Sequence, residues 1–253
     1  MIQFTNVSMI YPGGNKALQD IDLSIEKGEM VYISGRSGAG KSTLLRLINL
    51  IDRHTRGQIV IKGQNLERIK SKRISLFRRN IGFIFQDHKL LNDRTIFDNV
   101  ALPLVIAGNT HQDIKRRVQA SLDKVGLLSK INSYPMELSS GERQRIGFAR
   151  AVVHRPSILL ADEPTGNLDP ALSWEIMKLF EQFNQVGVTV MIASHEIDMI
   201  RHMQKRIIIL TKRLIHLLSY CIFSTSGISI NSFTSRVTLV STTLLNSGLT
   251  NIK

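Results

Sequence analysis

Three short runs in the chain are apolar at nearly every position: Met30-Val31-Tyr32-Ile33, Ile158-Leu159-Leu160-Ala161 and Val188-Thr189-Val190-Met191-Ile192-Ala193. Runs of this length and continuity predict strands of a parallel sheet covered on both faces. Ile81-Gly82-Phe83-Ile84-Phe85 and Arg206-Ile207-Ile208-Ile209-Leu210 read as further strands of the same kind. Leu172, Ile176, Leu179, Phe180 and Phe183 recur at helical spacing, and Gly187 follows as a stop signal. The first 30 residues differ, because Ile21, Leu23 and Ile25 alternate with Asp22, Ser24 and Glu26 before a Lys27-Gly28 turn. Alternation predicts half-exposed strands, and so an antiparallel sheet beside the main one. From about 87 to 155 the pattern turns helical, as at Ile114, Val118, Leu122 and Val125. The expected fold class is α/β: a mainly parallel sheet core with an antiparallel β flank and an inserted helical subdomain. Residues 1–86 and 156–210 make the core and flank, and 87–155 the insertion.

The last stretch breaks this pattern. Residues 211–253 hold 15 Ser or Thr and no Asp or Glu, whereas all 20 acidic residues lie upstream. They read as a poorly ordered tail, either a divergent extension or the product of an altered reading frame. Over the whole chain, 43% hydrophobic and 21% charged residues argue against wholesale disorder. The lone Cys221 excludes an intramolecular disulfide framework and fits a reducing compartment. No basic-then-apolar leader opens the chain, and no stretch reaches 18 consecutive apolar residues. The net charge of +13 is spread over small clusters, Lys70-Lys72-Arg73, Arg78-Arg79 and Lys115-Arg116-Arg117, without interleaved aromatics. A solvated basic face accounts for it better than nucleic acid does.

Chemistry enters with Gly35-Arg36-Ser37-Gly38-Ala39-Gly40-Lys41-Ser42, which fits the G-x-x-x-x-G-K-[ST] phosphate loop and stands between a strand and an apolar helix. Glycines let successive N–H groups converge, and the following helix adds its positive end. Lys41 would reach the β and γ phosphates and the Ser42 hydroxyl would ligate Mg²⁺. The ATP-binding set is therefore Gly35, Arg36, Ser37, Gly38, Ala39, Gly40, Lys41, Ser42 and Thr43. The run Ile158–Ala161 ends in Asp162-Glu163, which delivers two acids to the sheet edge where ligands bind in open α/β folds. Asp162 suits a Mg²⁺ contact, and Glu163 can hold and deprotonate the attacking water. A third strand ends Ala193-Ser194-His195 and brings an imidazole to the same edge. Gln86, after the strand Ile81–Phe85, offers a neutral oxygen to metal or water. The expected catalytic residues are Glu163, His195 and Gln86, with Ser42, Gln86 and Asp162 around the metal.

About 100 residues beyond the loop, Leu138-Ser139-Ser140-Gly141-Glu142 precedes Arg143-Gln144-Arg145 and a helix. This resembles the LSGGQ signature of the ABC (ATP-binding cassette) ATPases. The other marks follow in the family's order: Tyr11 resembles the aromatic that stacks on adenine, Gln86 the Q-loop, Gly166-Asn167-Leu168-Asp169 the D-loop and His195 the switch histidine. The resemblance covers residues 1 to about 210. It implies a P-loop NTPase fold of ABC type, ATP and Mg²⁺ as ligands, and ATP hydrolysis. It also implies a head-to-tail homodimer in which Ser139, Ser140, Gly141 and Glu142 of one copy, with Asp169, close over ATP held by the other. Phe85-Gln86-Asp87-His88-Lys89-Leu90-Leu91, Asp93-Arg94-Thr95 and Asp98–Leu104 are similar to the bacterial cell-division branch. That branch implies an integral membrane partner of the FtsX type, a place on the cytoplasmic face of the inner membrane at the division site, and control of cell-wall hydrolases. Lipoprotein-release and export ATPases share much of the cassette. Soluble members acting on DNA or ribosomes usually carry a long coiled coil or a second cassette, which this chain lacks. A P-loop kinase or GTPase would have no use for the signature or His195.

Two departures carry expectations. Ser140 replaces the first glycine of the signature pair. If that position needs positive φ, or room that a Cβ would fill, the serine costs on the order of 1 kcal/mol and weakens dimer-dependent hydrolysis. Thr211-Lys212-Arg213-Leu214 lacks the glycine that relatives carry in the turn after the last strand.

Overall fold

The computed structural model describes residues 1–166, 168–211 and 214–218. The elements, in chain order, are β1 (Ile2–Ile10), β2 (Lys16–Ile25), β3 (Met30–Gly35), α1 (Lys41–Ile48), β4 (Arg56–Ile61), β5 (Gln64–Asn65) and α2 (Ile74–Arg78). Then come β6 (Ile81–Ile84), α3 (Ile96–Ile106), α4 (His111–Lys124), α5 (Ser140–Val152), β7 (Ile158–Asp162) and α6 (Pro170–Gln185). The last are β8 (Thr189–Ala193), α7 (Ile197–Met203), β9 (Arg206–Thr211) and β10 (Leu214–Leu218).

Two sheets form, β2-β1-β4-β5 and β10-β9-β3-β8-β7-β6. In the second, β9, β3, β8, β7 and β6 run parallel, and β10 turns back antiparallel on β9. Its strands are apolar throughout because both faces are covered. Val31, Ile33, Leu160, Met191 and Ile208 pack with α1 and the antiparallel sheet. Tyr32, Leu159, Ala161, Val190 and Ile192 point to the other side, into a core shared with α3, α4, α5 and α6. In β2 the buried positions alternate from Ile21 to Ile25, after the adjacent buried Ala17 and Leu18, and in β1 they alternate along the strand. A register shift between Phe4 and Val7, with Asn6 at φ 50°, breaks the alternation once.

Strand pairing extends to Leu218, past the boundary at 211 that composition suggests, and Thr211 opposes Leu214. The rest of the tail expectation falls outside the described residues. Among the described residues no helix is long and apolar enough to cross a membrane.

Candidate active site

Three adjacent strands, β3, β8 and β7, end level with one another, with Ile33 opposite Ala193 and Ala193 opposite Asp162. Everything the sheet presents chemically follows from those three ends. After β3 the chain turns through Gly38 (φ 75°) and Gly40 (φ 102°) into α1. A Cβ on Gly40 would lie 2.6 Å from the Ala17 carbonyl oxygen and 2.7 Å from Leu18 Cδ2, so no other residue fits there unstrained. Gly40 is also the N-cap of α1 and supplies no side-chain acceptor. The first-turn N–H groups of the helix therefore face outward with no intrahelical partner.

Lys41, buried at the start of α1, donates through Nζ to the Gly35 carbonyl at 2.9 Å and lies 3.5 Å from Glu163 Oε1. The Ser42 hydroxyl donates to Asp162 Oδ1 at 3.0 Å, joining residues 120 apart in the chain. Burial raises the Asp162 carboxyl above its ordinary value, and the Ser42 hydrogen bond works against that rise. Glu163 takes φ 47°, with its N–H on the Ala193 carbonyl at 2.9 Å. That left-handed backbone costs a non-glycine residue on the order of 1 kcal/mol. Its other oxygen, Oε2, lies 2.7 Å from His195 Nδ1. A carboxylate only accepts, so the ring nitrogen is the donor in that pair. Glu163 thus sits between an amine and an imidazole.

Other expected residues stand apart from this cluster. Gln86 is exposed in the loop after β6, and no hydrogen bond joins it to Ser42, Asp162 or Glu163 among the described contacts. Asp169 caps α6 by accepting from the Leu172 N–H at 3.0 Å. Asn167 lies outside the described residues. Ser139 caps α5: its Oγ accepts from the Glu142 N–H at 3.2 Å, and Glu142 Oε2 accepts from the Ser139 N–H at 2.8 Å. This capping box gives Glu142 a structural task that Gln would perform equally, and the Ser139 bonds hold its carboxyl below the ordinary value. The Ser139 hydroxyl also bonds the Glu142 carboxylate, so it would have to leave that oxygen to reach another acceptor. Ser140 is the first helical residue of α5 and is not among the residues with positive φ, so the backbone strain considered for it does not arise. Gly141 is the tighter position, since a Cβ there would come 1.9 Å from Leu172 Cδ2.

Residues that carry no motif hold these parts in place. The Tyr11 hydroxyl donates to Asp52 Oδ2 at 2.8 Å. Arg150 of α5 donates to the Lys89 carbonyl at 2.7 Å and to the His88 carbonyl, tying the loop after Gln86 to the signature helix. Asn99, fully buried in α3, donates to the carbonyls of Leu91, Arg94 and Thr95. The only sequence signal for Asn99 or Arg150 is a polar residue at a helix position that faces the core.

A phosphate loop, two acids and a histidine on adjoining strand ends, with a serine-capped helix in an inserted segment, define an ATP-binding cassette. Residues 18–166 match the ABC transporter family, and the chain belongs to it. It is an ABC-type ATPase. It is 54% identical over 216 residues to the cell division ATP-binding protein FtsE of Escherichia coli strain K12, covering 85% of this chain and 97% of that protein. It is 47% identical over 208 residues to FtsE of Bacillus subtilis strain 168, with 82% and 91% covered. Among solved structures it is similar to the dimeric ATP-binding cassette MJ0796 in a post-hydrolysis state bound to ADP and Pi (TM-score 0.79, 34% identity, 85% and 97% covered). CbiO1 from Clostridium perfringens, part of the ABC transporter complex cbiONQ, gives a TM-score of 0.77 at 30% identity, with 85% and 86% covered.

Proposed function

We propose that the chain is the ATP-hydrolysing subunit of a cell-division complex of the FtsE kind, working as a head-to-tail homodimer on an integral membrane partner of the FtsX type. The observation that carries the hydrolytic part is Glu163, held 3.5 Å from Lys41 and 2.7 Å from His195 beside the Ser42–Asp162 pair. ATP phosphates lie on the outward N–H groups of Gly38–Thr43, and Lys41 moves from the Gly35 carbonyl to the β and γ phosphates. Tyr11 carries the base. Glu163 accepts the proton of the attacking water, and His195 orients that carboxylate while facing the γ-phosphate.

Two oxygen donors 3.0 Å apart, one hydroxyl and one carboxylate, suit Mg²⁺, which takes few protein ligands and keeps phosphate and water oxygens. Ser42 would hold it with Asp162 alongside, and Gln86 is the further neutral oxygen. When bound, the cation offsets negative charge on the phosphate oxygens.

Closure needs a second copy. The loop grips ATP from one side, and the Ser139 hydroxyl at the capped start of α5 turns from the Glu142 carboxylate to the γ-phosphate on the partner's loop. Solved relatives described as dimeric cassettes support this arrangement. The cell-division assignment draws on FtsE relatives in Gram-negative and Gram-positive species. Residues near the Gln86 loop fit a membrane partner: Leu102, Val105 and Ile106 of α3 and Leu76 of α2 are exposed, and Arg79 bonds the Ile106 carbonyl at 3.1 Å, joining the two helices. Such a patch on the cytoplasmic face would receive an apolar helix of the partner at the division site.

Co-expression of the full chain with an FtsX-type membrane protein tests this. The two should co-purify from detergent, and Ile106→Glu should abolish the association while leaving ATP binding intact. Retention of a lipoprotein-release partner in preference to the FtsX-type protein would overturn the cell-division reading.

A further inference from the structure

Tyr11 opens the connection from β1 to β2, a stretch reading Tyr11-Pro12-Gly13-Gly14-Asn15. The turn is closed by the Tyr11 N–H on the Asn15 carbonyl at 2.9 Å and the Gly14 N–H on the Tyr11 carbonyl at 3.1 Å. Gly13 and Gly14 both have positive φ, and nothing lies within 4 Å of where their Cβ atoms would be. The two-glycine turn itself is open, while the partly buried Tyr11 ring packs against the core formed by β1, β2 and α1.

The far end of the side chain adds a second, directional constraint. The Tyr11 hydroxyl donates to Asp52 Oδ2 at 2.8 Å and lies 3.3 Å from Thr43 Oγ1. Asp52 is itself held on both oxygens by Arg46, with Nε on Oδ2 at 2.7 Å and an Nη on Oδ1 at 3.0 Å. The Arg46 bond keeps the Asp52 carboxyl below its ordinary value, so it stays an acceptor near neutral pH. Thr43 and Arg46 both belong to α1, whose first residues complete the phosphate loop. Three side chains thus fasten an aromatic on the β1–β2 connection to the helix that holds the phosphates.

We propose that Asp52, clamped by Arg46, is a positioning residue for nucleotide binding: it presets the Tyr11 ring as a stacking face at a fixed offset from the phosphate loop. This rests on Tyr11 being the base contact and goes beyond it by giving Asp52 and Arg46 a role. An unpinned ring would have to be ordered at the moment of binding, and that ordering would be subtracted from affinity. Stacking accepts any base, so the pin acts on how tightly a nucleoside triphosphate is held and not on which base is chosen.

The test is calorimetric titration of the full chain with MgATP and, separately, with inorganic tripolyphosphate, which has no base. Tyr11→Phe keeps the ring and loses the hydroxyl, and Asp52→Ala removes the anchor. Each should weaken ATP about three- to tenfold, the net worth of one ordinary hydrogen bond. The double variant should be no weaker than either single one, because both break the same link. Tripolyphosphate affinity should be unaffected in all three. Tyr11→Ala, which removes the ring, should weaken ATP further. The proposal is overturned if Tyr11→Phe and Asp52→Ala bind ATP normally while Tyr11→Ala does not, for the ring is then used without its pin. It is equally overturned if Asp52→Ala weakens tripolyphosphate as much as ATP, since the carboxylate then merely supports α1. Normal ATP binding by Tyr11→Ala would remove the base-contact reading together with the proposal.

Discussion

Two helices in this chain begin at places that the proposed function gives to phosphate, and their first turns are built in opposite ways. Helix α1 starts from Gly40, which has no side chain to cap it. Helix α5 starts from Ser139, whose hydroxyl and the Glu142 carboxylate together form a complete capping box. The orphan N–H groups of α1 are left for a ligand, whereas those of α5 are partly satisfied from within. On the proposed reading the first is a primary anion site that can bind before any partner arrives. The second then gives up an internal hydroxyl bond only to a ligand already held, which suits a surface that closes over it.

The sharpest way to break that contrast is at Gly40. With φ at 102° and a carbonyl oxygen 2.6 Å from the missing Cβ, Gly40→Ala must move the loop. Displacement that removes about 3 kcal/mol of binding lowers ATP affinity roughly a hundredfold. Near-normal titration of this variant with ATP would mean that the uncapped helix start is not the primary site.

Ser139→Ala should behave differently. Loss of the cap costs about 1 kcal/mol of helix stability, a drop of a few degrees in melting temperature for a domain of this size. ATP binding by the separate chain should be unchanged, while turnover that depends on pairing falls. Ser139→Thr, which retains a hydroxyl, should recover most of both. Weaker ATP binding by the unpaired Ser139→Ala chain would contradict the division of labour.

The smallest effect is expected at Ser140. Its backbone is already helical, so Ser140→Gly releases no strain and loosens the first turn by about 0.5 kcal/mol. Turnover should change by less than about twofold. A large gain would mean that the serine Cβ crowds the partner's nucleotide.

What the residue pattern reveals in advance follows the same physical line. Strands β3, β7 and β8 are legible because burial on both faces leaves an unbroken apolar signature, and the loop between β3 and α1 is legible because its glycines answer a local backbone demand. Asp162, Glu163 and His195 are readable because each ends such a strand. Tyr11 is readable only by resemblance, and its partners Asp52 and Arg46 are not, since the Tyr11–Asp52 bond joins residues 41 positions apart and no local period records it. Arg150 and Asn99 are hidden for a related reason: each satisfies backbone carbonyls of a loop whose path is set only by the folded core. Ser140 shows the converse, where family pattern suggests strain and the helix start removes it. The short strand β10 likewise pairs with β9 although the turn between them has no glycine.

The central claim is that Glu163 activates water in an ATP site completed only by a second copy of the chain. Mass measurement of the Glu163→Gln variant in solution, with MgATP and then with MgADP, tests it most directly. A dimer with ATP that reverts to a monomer with ADP, together with loss of turnover, is the predicted result. A variant that stays monomeric at saturating ATP, or that continues to hydrolyse it, would contradict the account.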